Sequence, residues 1–189
     1  MQMFQKSNFL YLLCLLLLAS CADTANDERN ALNQSRYVDL KTYFESEIAR
    51  LNQSKFGLEK TLLFDGETEK INSAKVNWKK EIEPFLDLDI LKNTYTGRLN
   101  VDSVLNGSDE FTVKYTPNDS SVELKQLQVH FNHQKINAIK AEFASHNPLY
   151  HSYKLYEYFP DSLYMIEGNQ KVKLVHSPSY SAIGRIIKH

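Results

Sequence analysis

The sequence predicts an α+β domain in which helices pack on one face of an antiparallel sheet. Two observations point there. Apolar residues recur at helical spacing early in the chain and again near residue 80, then at a spacing of two from about residue 95 onward. The alternating runs are separated mostly by two to four residues rich in Asn, Asp, Gly and Pro, and gaps that short join only antiparallel neighbours. Helices alongside a meander of about six to eight strands form an α+β layer arrangement.

The first element is an address rather than part of the fold. Lys6 precedes an apolar run from Phe9 to Ala19, and the run closes on Leu18-Ala19-Ser20-Cys21. The run is shorter than the roughly 17–25 residues a membrane-spanning helix needs, and its flanks are those of a secretory signal peptide. The tetrapeptide LASC resembles the lipobox of bacterial lipoproteins. That resemblance implies cleavage after Ser20, lipid on the Cys21 sulfur and acylation of its new amino group. By the same resemblance Ala22, standing where Asp would signal inner-membrane retention, implies the outer membrane, although Asp23 follows one residue later; the expected location is its periplasmic face.

Removal of residues 1–20 leaves 169 of the 189 residues, the size of one domain. Loss of Lys6 leaves 21 basic against 23 acidic residues. With a pI near 6.6, this near-neutral balance argues against a nucleic-acid partner. The two cysteines are Cys14, discarded with the signal, and Cys21, consumed by lipid, so the mature fold is expected to carry no disulfide. Residues 21–36 are polar and without apolar period, and read as a tether reaching about 20 Å on average. Residues 37–189 form the single folded domain.

The first helix is expected from Asp39 to Asn52, with Asp39 as N-cap and Leu40, Tyr43, Phe44, Ile48 and Leu51 on one face. Residues 58–71 read as a hairpin turning at Asp65-Gly66, with a polar second arm suited to an edge. A second helix is expected from Trp78 to Leu86, capped by Asn77 and kinked or shortened by Pro84. Strands follow over 95–101, 110–116, 122–131, 135–144, 150–159, 162–167, 170–176 and 179–188. The helix VDLKTYFESEIARLN and the run YFPDSLYMIEGNQKVKLV resemble a group of uncharacterised lipoproteins of Gram-negative bacteria. That likeness supports the anchor and the fold, and implies no activity.

The search for chemistry is mostly negative. The six glycines are isolated, without a phosphate loop or nucleophile elbow. His130 and His133 are spaced HxxH, but across a strand end, where i and i+3 point apart. His146 and His151 bracket Asn147-Pro148 and could converge across the turn. No catalytic set, metal site or cofactor is expected. The distinctive feature is the tyrosine strand. Alternation puts Tyr150, Tyr156 and Tyr158 on one face and Tyr153, Leu155 and Phe159 on the other, so the three tyrosines form a candidate binding platform, either exposed or under the helices. The expected function is a lipid-anchored binding or interaction module rather than an enzyme, with the membrane and an envelope protein, glycan or lipid as partners. The alternative is a periplasmic carrier or chaperone for apolar cargo on a curved sheet.

Overall fold

The structure, a computed structural model, describes residues 37–173 and 178–188. The predicted signal peptide, Cys21 and the tether lie outside the described residues, as do His176 and Ser177. Everything below belongs to the compact unit Val38–His189.

Helix α1 spans Leu40–Gln53. Its N-cap is Asp39, whose carboxylate accepts from the Thr42 backbone N–H at 3.0 Å and from the Thr42 hydroxyl at 2.8 Å, satisfying a donor the first turn leaves free. Strands β1 (Phe56–Phe64) and β2 (Glu67–Ser73) form the predicted hairpin. Asp65 and Gly66 both have positive φ, 50° and 89°, as a two-residue turn of this kind needs. Helix α2 (Trp78–Ile82) starts at Asn77 and tightens at Pro84 into a 3₁₀ segment, Glu83–Leu88, because proline cannot donate to the α-helical ladder.

Seven strands follow: β3 (Leu99–Leu105), β4 (Glu110–Pro117), β5 (Leu124–Asn132), β6 (Lys135–His146), β7 (Tyr150–Phe159), β8 (Leu163–Val172) and β9 (Ser179–Lys188). All nine strands join one antiparallel sheet in the order β2-β1-β9-β8-β7-β6-β5-β4-β3. The sheet is therefore a little larger than the six to eight strands expected, because the N-terminal hairpin is zipped onto β9 rather than standing apart. Two other expectations are corrected. The runs 162–167 and 170–176 are one strand through Gly168-Asn169. Residues expected to begin a strand at Tyr95 form a 3₁₀ turn, Asn93–Tyr95, and β3 starts at Leu99. The polar strand β2 is an edge, as expected.

Strand β5 carries a bulge at Lys125, where the register steps from Leu124↔Phe143 to Gln126↔Glu142. The extra residue lets Leu124, Leu127 and Val129 all face the same side, and each is buried. That side is the one covered by helices. Its centre is Phe85, whose ring lies 5.3 Å from Phe44, 5.6 Å from Tyr158, 5.8 Å from Tyr156 and 6.0 Å from Tyr164. Pro84 ends the α-helix just before Phe85 and so helps aim this residue into the sheet.

Two buried tyrosines tie helices to sheet through carboxylates. Tyr158 donates its hydroxyl to Glu47 at 2.5 Å, and Glu47 takes both forks of Arg50 at 2.7 Å. Tyr164 donates to Glu81, which also binds the Lys60 ammonium at 2.7 Å. A buried carboxylate is costly unless paired in this way. Burial, reinforced by the neighbouring carboxylate, pushes both phenols well above their ordinary pKa and keeps them as donors.

Candidate functional site

One end of the sheet opens into a pocket of about 360 Å³ on the helix-covered face. Strand β7 supplies alternate residues, Tyr150, Ser152, Lys154 and Tyr156, which the pleat places on one side. Strand β6 adds Phe143 and Ser145, which stand opposite Lys154 and Ser152 in register. The segment after α2 closes the far wall with Asp87, Lys92 and Tyr95, and Glu123 and Gln170 complete the rim.

The pocket combines apolar ring faces with polar atoms of both signs. Phe143 meets Tyr156 edge to face, with centroids 5.7 Å apart. The Tyr150 hydroxyl lies 3.2 Å from the Ser152 hydroxyl, and its hydrogen bonds to Ser152 and Ser145 hold its pKa below the ordinary tyrosine value. Burial, followed by the charges of Glu123 and Asp87, raises that of Tyr95. Lys92 and Asp87 face each other loosely at 3.8 Å, and both are largely exposed. A larger cleft of about 470 Å³ lies between the end of α1 and the link from β2 to α2, with Lys55 and Lys75 on its walls. Its lining lacks the facing tyrosines that distinguish the smaller pocket.

The three tyrosines of the predicted platform do share a face, with Tyr153, Leu155 and Phe159 on the opposite one, but they lie at three depths. Tyr158 is fully buried beneath α1 and Phe85, and no ligand reaches it. Tyr156 is 9% exposed and shows one edge to the pocket. Tyr150 is half-buried at the mouth. The platform is therefore a two-tyrosine pocket with its third ring sealed in the core.

The HxxH pair does not converge. His130 Nδ1 lies 2.9 Å from the Thr112 hydroxyl, which also accepts from Asn106 at 2.7 Å, while His133 occupies the turn and its Nδ1 lies 2.6 Å from Asn132 Oδ1. Burial and the charge of Lys140 depress the His130 pKa. His146 and His151 do come together as register partners across the β6–β7 hairpin, with their rings edge to face. Among the described residues no group of three His, Cys, Asp or Glu is placed to hold a metal.

Sequence reasoning missed Glu47, Lys92, Tyr95 and Phe143. For Glu47 the signal was present: Leu40, Phe44, Glu47 and Leu51 fall at alternating steps of four and three, so the carboxylate sits on the buried stripe. Lys92 and Tyr95 had no such signal, since only the path of the chain after Pro84 brings them to the sheet.

Compared with protein-family models, with curated proteins and with solved structures, the chain matches none. Among the described residues no helix is long and apolar enough to cross a membrane.

Proposed function

We propose that this chain is a bacterial envelope lipoprotein, anchored at the outer membrane through Cys21, whose domain captures a short glycan in the Tyr150–Tyr156 pocket. The observation that carries the reading is the pocket itself: tyrosine and phenylalanine faces beside hydroxyls, an amide and charges of both signs. Sugars present apolar C–H faces and a rim of hydroxyls, and so match that mixture. The volume is at the small end of ligand pockets. Binding is favoured over catalysis because Ser145 and Ser152 are engaged with the Tyr150 hydroxyl and no histidine lines the pocket. The carrier reading has less support. The space beneath the helices is filled by Phe44, Phe85, Tyr158 and Tyr164, and the gap among Leu88, Ile90, Leu124 and Leu127 is too small for water.

Two measurements test the proposal separately. Wild-type cells should incorporate labelled fatty acid into the protein, and a Cys21→Ser variant should not; equal labelling would remove the anchor. The purified chain, screened against oligosaccharides that include peptidoglycan fragments, should bind at least one. Tyr150→Ala should weaken that binding about tenfold, the weight of one good contact of about 1.4 kcal/mol, without loss of fold. Failure of the wild type to bind any glycan would sink the glycan reading while leaving the anchor standing.

A further inference from the structure

We propose that His146 and His151 form a two-imidazole chelate for a divalent first-row transition ion, on the face of the β6–β7 hairpin opposite the pocket. The two residues are direct register partners, at the last rung before the turn. Directly opposed residues on neighbouring strands hold their Cβ atoms about 4.5–5.5 Å apart, the separation from which two rings can meet over one ion. Here they do meet. The ring centroids are 3.9 Å apart at an interplanar angle of 64°, and the two Nδ1 atoms face each other within hydrogen-bonding range. Both residues are exposed, so an ion reaches them without any opening of the fold.

The turn beneath is rigid. Asn147 Oδ1 accepts from the backbone N–H of Leu149 and of Tyr150, each at 2.9 Å, and the Asn147 N–H bonds back to the Tyr150 carbonyl at 2.9 Å. Pro148 fixes one more dihedral. The two strands are thus held in register before any ion arrives, so only the side chains remain to be ordered on binding.

A hydrogen bond between the two Nδ1 atoms needs one ring to donate its Nδ1–H and the other to accept through its lone pair. A metal ion replaces that shared hydrogen. The donating ring shifts its proton from Nδ1 to Nε2, and both Nδ1 lone pairs then turn to the ion. Metal–nitrogen bonds of about 2.0–2.1 Å require the two nitrogens to swing slightly apart, which exposed side chains do at little cost. Water fills the remaining positions. Imidazole suits copper(II), nickel(II) and zinc(II), with copper held tightest in that series. Lys171 stands opposite His151 on β8 and works against a cation there, so the affinity is moderate. The site is independent of the glycan reading. It also departs from the expectation of no metal, which rested mainly on the different pair His130 and His133.

Zinc is the probe of choice, because it has no redox chemistry of its own. The full chain, stripped with chelator, is titrated with zinc chloride while calorimetry and the histidine ring resonances are followed by NMR. One zinc should bind per chain, shifting the rings of His146 and His151 together. His146→Ala and His151→Ala should each weaken binding at least tenfold, and His133→Ala should not. The proposal is overturned if zinc leaves those two ring signals unmoved in the wild type, or if both variants bind as the wild type does. The ring signals need no variant, so the test holds even if a substitution disturbs the fold.

Discussion

Tyr150 and Tyr156 lie on one face of one strand, yet a substitution should treat them differently. Tyr156 is 9% exposed and packs edge to face against Phe85 and Phe143. Tyr156→Ser should cost about 3–5 kcal/mol, as for other buried aromatics cut to a small side chain, measured as a lower urea midpoint. Tyr150→Ser, at the pocket mouth, should cost about 1 kcal/mol or less. Similar losses at both sites would mean that the pocket is closed core. The face of each ring was legible from strand alternation alone. Its depth was not, because depth depends on where α1 and the segment after Pro84 settle, and no local pattern encodes that.

Among the elements, the β1–β2 hairpin was the most legible. Asp-Gly between extended runs specifies a turn whose central residues need positive φ, and Gly66 adopts 89°. Space is not its constraint, since nothing lies within 4 Å of where a Cβ would stand. Gly66→Val should therefore destabilise through backbone strain alone, by about 1–2 kcal/mol; an unchanged denaturation midpoint would place the turn elsewhere. Gly168-Asn169 shows the opposite lesson. The pair has turn composition, which predicts a break, but Gly168 is a strand residue that makes room. A Cβ there would lie 2.5 Å from the Tyr180 ring, which crosses from the register partner on β9. A glycine required by a neighbouring ring and one required by a turn look alike in sequence.

At the scale of the molecule, the sheet depends on the pairing of β1 with β9. Tyr164 folds over Gly184 on the strand between, so closely that any Cβ at Gly184 would collide with its ring. Gly184→Val should push Tyr164 off Glu81 and cost about 1–3 kcal/mol or more, the scale of overpacking. Loss of a single cooperative urea transition would show that the β1–β9 seam had opened, and an unchanged midpoint would mean that Tyr164 does not need the gap. The alternating runs and their antiparallel order could be read from turn chemistry, whereas this seam could not. It joins Phe56 to Lys188 and Phe64 to Tyr180, residues near opposite ends of the domain, and no short-range signal links them.

That seam also has a consequence for timing. Pairings between segments distant in sequence form late, because the intervening chain must first be ordered. The hairpin at the front of the domain therefore cannot find its place until the last strand has been synthesised. For a chain threaded through a membrane while still extended, as the proposed export would require, that delay would lengthen the time in which the sheet is still open.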